Sequence, residues 1–275
     1  KGLNIFKEDI SFPKDEDNFE GINFSYAEFY HSKFRDACFG SCYFGFTKIH
    51  NCEFINCLFS FSYFYGATLK NVKFIDCDFV ESNGFTNCDF SQAQFENCFY
   101  SGNILINCKF DASTSINEPI AKARQKDCNL DNRKLAEIFK GVKEAYAVGG
   151  AYKKSSNYFF KQMQSVTHYN TGNFFEKIGE YVWEAIAGYG VRPSRVLCVM
   201  VGVFLLSFLW FSLKIGLCDG FILTSGAMFT FGANVDYLRI LGVADKIVYV
   251  ATSFFGISLV ALFITVLANK WLRER

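Results

Sequence analysis

Seven cysteines are the first residues whose chemistry needs an account. Cys42, Cys52, Cys57, Cys77, Cys88, Cys98 and Cys108 are separated by multiples of five, with one extra residue between Cys77 and Cys88. A thiolate cluster would hold zinc, and paired thiols would form disulfides. The spacing follows a repeat rather than any CxxC pattern, so the alternative is cysteine used as a small hydrophobe. His31, His50 and His168 lie in unrelated segments and suggest no catalytic or metal cluster. No nucleophile–base pair, phosphate loop or metal set is visible. The expectation is therefore a protein that is not an enzyme and has no cofactor beyond ions that pass through it.

What positions the cysteines is a five-residue beat. Phe24, Phe29, Phe34, Phe39, Phe44, Ile49, Phe54, Phe59, Phe64, Leu69, Phe74 and Phe79 keep one register. After one inserted residue near Gly84 it resumes at Phe85, Phe90, Phe95, Tyr100, Leu105 and Phe110. Two residues before each large side chain comes a small one, and the cysteines fill that slot beside Ala27, Ser32, Thr47 and Ala67. One large and one small inward side chain in alternation fill a narrow interior. A period of five fits neither helix nor ordinary strand and marks a solenoid. Residues 20–112 resemble the pentapeptide-repeat family. That resemblance implies a right-handed quadrilateral β-helix of four to five coils, about 20 Å long at roughly 4.8 Å per coil. Inward slots on stacked coils leave no tetrahedral exit for a metal. So many free thiols point to a reducing, cytosolic setting.

Residues 131–148 and 151–168 read as a helical hairpin broken at Gly149-Gly150, a linker that packs on its neighbours or holds a partner. Residues 174–189, FFEKIGEYVWEAIAGY, read as an aromatic-rich amphipathic helix for a membrane interface. Two apolar stretches follow, 196–215 and 246–271, each of which reaches the roughly twenty residues needed to cross a bilayer. Arg192 and Arg195 precede the first; Lys270, Arg273 and Arg275 close the second. The positive-inside rule then puts both termini in the cytosol of a multi-pass cell-membrane protein.

Between these spans, residues 219–229, DGFILTSGAMF, are apolar but too short to cross, as re-entrant segments are. Thr230-Phe231-Gly232-Ala233-Asn234 then breaks the apolar period. Irregular backbone at membrane depth survives only where it is buried in protein or lines a watery path. Here the chain resembles the two-transmembrane, potassium-channel-like pore family. TFGAN lies where that family has T-x-G-Y-G: Thr230 and Gly232 match, while Ala233 replaces the aromatic and Asn234 the last glycine. The stretch FFGISLVALFITVLANKW resembles the family's second span, with Gly256 at the hinge-like position. GYGVRPSRVL and the hairpin are similar to bacterial proteins that fuse pentapeptide repeats to this pore.

The resemblance implies a homotetramer, because each chain supplies one loop and four must surround the ion. Carbonyls of Thr230, Phe231, Gly232, Ala233 and Asn234 would ligate K⁺ or Na⁺. The missing aromatic spacer implies a wider outer filter and weaker discrimination. Asp236, just outside, would form an anionic ring at the entrance, or else be an ordinary loop carboxylate.

The resulting architecture is an N-terminal segment 1–19, a β-helix 20–112, a helical hairpin linker 113–173, an interfacial helix 174–190 and an all-α two-transmembrane pore domain with a re-entrant P-loop, 191–275. A net charge of +1 and 51% apolar content argue against a nucleic-acid partner. Acidic pentapeptide solenoids that mimic DNA offer no explanation of the membrane part. The first residue is Lys rather than Met, which leaves open a start inside a longer chain, and no signal peptide is visible. The leading expectation is a tetrameric cation channel with a cytosolic solenoid. The alternative is a non-conducting, membrane-anchored scaffold whose solenoid recruits a cytosolic protein. The gating stimulus and ion selectivity stay open, and no Arg-rich voltage-sensor helix is present.

Overall fold

The computed structural model describes residues 4–6, 8–11, 19–80, 84–100, 104–116, 132–169, 174–229 and 242–273. They divide into two compact units, Lys1–Thr171 and Gly172–Arg275.

In the first unit the five-residue beat becomes geometry. The corner residue three places before each central side chain takes a positive φ, for example His31 at 54°, Asp36 at 56° and Asn51 at 55°. Asn and Asp reach that left-handed region through local hydrogen bonding. Accordingly Asp36, Asn51, Asn56, Asn71, Asp76, Asn87, Asn97 and Asn107 all hold corners. Stacked corners also bond to one another: Asn71 Nδ2 donates to Asn51 Oδ1 at 2.8 Å, and Asn56 Nδ2 to Asp36 Oδ1 at 2.5 Å.

Short strands between the corners stack into four parallel sheets. Partners are 20 residues apart, as in Phe34↔Phe54↔Phe74 and Phe39↔Phe59↔Phe79. Across the inserted residue the offset becomes 21, as in Phe64↔Phe85, and it returns to 20 at Phe85↔Leu105. A one-residue slip within a strand would turn its phenyl ring outward. The extra residue is therefore absorbed between strands, between Phe79 and Phe85. Inside, the rings stack in columns: Phe44 on Phe64 at 4.4 Å, Phe39 on Phe59 at 4.9 Å and Phe34 on Phe54 at 5.0 Å. Each buried ring contributes roughly 1.5–3 kcal/mol. Half-buried surface ion pairs such as Lys33–Glu53 (2.6 Å) and Lys48–Glu28 (2.8 Å) line the outside and add little.

Strand pairing extends past residues 20–112 at both ends. Asn4–Phe6 and Asp9–Ser11 form strands whose Ile5 and Ile10 pair with Phe29 and Phe34. The offset there is 24, so a longer connection hid this coil although Ile5 and Ile10 are themselves five apart. Ser115–Ile116 pairs with Gln94 and Phe95 at the other end. The solenoid makes about five turns.

Helices Asn132–Val148 (α1) and Tyr152–Tyr169 (α2) close its C-terminal end. Leu135, Ile138, Phe139, Val142 and Tyr146 join the phenyl core. The Phe110 N–H donates to the Ala145 carbonyl at 2.9 Å, which satisfies a solenoid donor and a helix-end acceptor together. Gly149 permits the approach: a Cβ there would stand 1.8 Å from the Phe110 oxygen. The hairpin thus caps the solenoid, covering an edge that would otherwise invite strand addition.

The second unit is helical: Phe174–Ala187 (α3), Pro193–Ile215 (α4), Leu217–Phe229 (α5) and Val243–Arg273 (α6). Pro193 opens α4, where a missing N–H costs nothing. At 1.5 Å per residue, α4 is roughly 34 Å long and α6 about 46 Å, so both can cross a bilayer by length and composition. Only 22% of the most apolar stretch of α4 and 17% of that of α6 is buried. These are not core helices of this chain, because their apolar sides face outward.

Candidate functional site

The second unit is built around α5. Its 13 residues reach about 20 Å, too short to cross a hydrocarbon core of about 30 Å. Gly220, Leu223, Thr224, Gly226, Ala227 and Met228 are buried, while Leu217, Phe221, Ile222 and Phe229 are exposed. Phe221 meets Phe204 and Phe208 of α4 edge-on at 5.8 and 6.2 Å. The Thr224 hydroxyl donates back to the Gly220 carbonyl at 2.8 Å, so a buried polar head is satisfied inside its own helix.

Two polar links tie α4 to α6. The Ser207 and Thr252 hydroxyls share a buried hydrogen bond of 2.8 Å. Near the ends of α4 and α6 that flank α5, the Asp245 carboxylate is 5% exposed and ligated from several sides. Trp210 Nε1 donates to it at 3.0 Å, the Gly242 N–H at 3.2 Å, and Lys214 Nζ forms an ion pair with it. The same ammonium lies 4.7 Å over the Trp210 ring. A buried carboxylate that keeps a cation and two N–H donors is compensated rather than strained. This cluster fixes where α6 begins, straight after residues 230–241. Sequence reading missed it. Its signal was Lys214 near the end of the first apolar stretch and Asp245 just before the second.

The expected ion-filter residues Thr230, Phe231, Gly232, Ala233 and Asn234, and Asp236, lie outside the described residues. Gly256 is described. It is buried within α6, and a Cβ on it would lie 2.6 Å from the Met228 carbonyl oxygen and 2.7 Å from the Met228 Cα. The last turn of α5 therefore rests on α6 at Gly256. Leu197, Met200, Val201 and Phe204 of α4 line a wholly apolar cavity of 260 Å³ with Met228 and Phe229.

On α3, Phe175 is 83% exposed, and Tyr181, Val182 and Trp183 are exposed beside it. Its end is fastened to α4 by Arg195, which donates to the Glu184 carbonyl at 2.7 Å, and by a turn with positive φ at Gly188, Tyr189 and Gly190.

In the solenoid, the slot cysteines are buried, and their thiols act as donors. Cys42 Sγ reaches the Phe19 carbonyl at 2.9 Å, Cys57 that of Phe34 at 3.5 Å, Cys77 that of Phe54 at 3.3 Å and Cys108 that of Phe85 at 3.3 Å. The Ser62, Thr47 and Thr114 hydroxyls make the same bond to Phe39, Phe24 and Phe90 at 2.9 to 3.0 Å. The slot is thus a donor slot as well as a small one, and its Cys, Ser and Thr occupants were the legible sign. Burial pushes the Cys42 and Cys52 thiols up and drives Cys77 well above the ordinary range, which keeps them protonated and unreactive. Among the described residues, no three His, Cys, Asp or Glu side chains gather as metal ligands.

One solenoid face differs from the rest. Tyr26, Tyr43, Phe46, Phe61, Tyr63 and Tyr65 stand between 47% and 67% exposed. Tyr26 stacks on Phe46 at 5.3 Å and Tyr43 on Tyr63 at 5.7 Å.

Residues 42–83 match the family model for pentapeptide repeats, in eight copies. No curated protein matches the chain at a significant level. Among solved structures, the chain is similar to the pentapeptide repeat protein Rfr23 from the cyanobacterium Cyanothece 51142. The identity is 15% over 42% of this chain and 86% of that one, at a TM-score of 0.29. It is also similar to QnrB1, a plasmid-mediated fluoroquinolone resistance protein, at 16% identity over 42% and 74% with a TM-score of 0.17. A pentapeptide repeat protein from the Arabidopsis thaliana thylakoid lumen aligns at 16% identity over 37% and 69%, with a TM-score of 0.19. At these scores the solved structures carry no functional weight. The N-terminal unit holds a β-solenoid whose residues 42–83 match pentapeptide repeats, and the C-terminal unit carries two helices long and apolar enough to cross a membrane.

Proposed function

We propose that the chain is one subunit of a homotetrameric channel for monovalent cations, K⁺ and also Na⁺. The second unit spans the cell membrane through α4 and α6, with both termini and the solenoid on the cytosolic side. The re-entrant α5 leads into residues 230–234, whose carbonyls and the Thr230 hydroxyl replace part of the ion's water. Asp236 concentrates cations at the mouth. The observation that carries this reading is α5 itself: a helix too short to span, seated between two that can, with its last turn pressed on α6. A non-spanning helix at that depth needs irregular backbone after it, and such backbone belongs beside water or inside an assembly. The outward apolar sides of α4 and α6 are then covered by lipid and by neighbouring copies.

The test is reconstitution of the full chain in planar bilayers under bi-ionic K⁺/Na⁺ conditions, with mass measurement of the assembly. The expected result is a tetramer passing cations with modest preference for K⁺. Anion selectivity, or a monomer that passes no current, refutes it.

The exposed aromatic face of the solenoid favours a second reading, a membrane-anchored scaffold that recruits a cytosolic protein. A silent bilayer together with partner capture that is lost on Tyr43→Ser and Tyr63→Ser would select it.

A further inference from the structure

We propose that Gly256 is a seat rather than a hinge: a positioning residue that sets how deep the C-terminal end of α5 lies against α6. Three distances carry this. A Cβ at Gly256 would stand 2.6 Å from Met228 O, 2.7 Å from Met228 Cα and 2.9 Å from Met228 Cγ. The two nearest atoms are backbone, so a side-chain rotation cannot make room. Met228 belongs to the last turn of α5, where carbonyls have no partner within the helix. A methyl group would push the carbonyl end of α5 away from α6.

The seat has a counterpart on α5's other side. A Cβ at Gly220 would lie 2.7 Å from the Ser212 nitrogen of α4. The short helix is therefore held by close backbone contact on both sides, near its start by α4 and near its end by α6. Glycine as such is not the reason. Gly202, also within α4, has open space where its Cβ would go. It supplies an internal control.

The conduction arm of the test rests on the channel reading; the stability arm does not. Gly256→Ala, Gly202→Ala and wild type are purified as full chains, melted in detergent and recorded in bilayers. An ordinary mid-helix glycine gains helix stability on change to alanine. The seat predicts the opposite sign: Gly256→Ala melts at least about 2–4 °C lower, while Gly202→Ala melts at or above wild type. Met228→Ala does not rescue Gly256→Ala, because the obstructing atoms are backbone. In bilayers, Gly256→Ala changes the K⁺ to Na⁺ permeability ratio. A hinge would change open time and leave that ratio alone. A raised melting temperature for Gly256→Ala, or full rescue by Met228→Ala, overturns the seat. If wild type passes no current, the channel reading fails and the melting order still decides the seat.

Discussion

The cap on the solenoid turns on one carbonyl with two donors, which makes its energetics measurable. Thr114 is fully buried, and its carbonyl accepts from the Tyr146 hydroxyl at 2.9 Å and from Lys154 Nζ at 2.6 Å. Tyr146→Phe deletes the first donor and keeps the ring contacts to Phe110 at 5.2 Å and Tyr158 at 5.6 Å. The carbonyl retains Lys154, so the loss is one ordinary hydrogen bond, about 0.5–1.5 kcal/mol. Lys154→Met deletes the second donor, a charge-assisted one that is partly exposed, at a cost of about 1 kcal/mol after screening. The double variant strips the acceptor of both donors. A buried carbonyl without a partner costs a further 1–3 kcal/mol or so. The double variant should therefore exceed the sum of the singles by about 1 kcal/mol or more, within the range known for groups that share a partner. At roughly 2–4 °C per kcal/mol for a unit of this size, that excess is several degrees. The buried Cys88 and Cys108 report it in a background with Cys38, Cys198 and Cys218 already blocked, since a thiol-reactive dye then reaches buried thiols only on opening. Strict additivity, or a neutral Tyr146→Phe, would refute the shared-acceptor account of the cap.

Three further outcomes can be checked directly. Cys57→Ser keeps a donor in its slot and should melt within a few degrees of wild type, whereas Cys57→Ala loses donor and volume and costs about 1–2 kcal/mol; equal melting of the two would show that the slot reads size alone. Partial burial pushes the Asp111 carboxyl up, but hydrogen bonds from Ser113, Gln92 and Thr114 outweigh it and hold it below the ordinary range. Its stabilisation is then complete above an unfolded carboxylate pKa near about 3.9 and lost as pH falls below it. Amide exchange at residues 108–116 should accelerate in acid for wild type and stay flat for Asp111→Asn, and a flat wild-type profile would count against it. Asp236→Asn should reduce cation conductance at low salt and matter little near 1 M, where the screening length is about 3 Å; an effect independent of salt would place Asp236 away from the ion path.

The legible and illegible parts of this chain separate by contact distance. The beat of Phe34, Phe39 and Phe44 is visible because each solenoid strand repeats the same local choice, one ring inward and one corner turned. The long apolar runs of α4 and α6 are visible because a bilayer demands about twenty such residues in a row. What hid was non-local. The thiol bonds join residues about 23 apart, and their donor role emerges only when one coil lies on the next. The coil at Asn4–Ser11 hid because its connection breaks the beat. Gly256 was singled out by resemblance as a hinge, yet what defines its surroundings is the Met228 carbonyl, 28 positions earlier in the chain. The assignment of Thr230 to Asn234 and Asp236 rests on the sequence resemblance. In the chain, Met228, which Gly256 contacts, precedes that stretch, and Asp245, which Lys214 and Trp210 hold, follows it. The Gly256 contact fixes the last turn of α5 and the Asp245 cluster the first turn of α6. On the channel reading proposed above, restraint at both ends of a short connection would hold an ion path at fixed width.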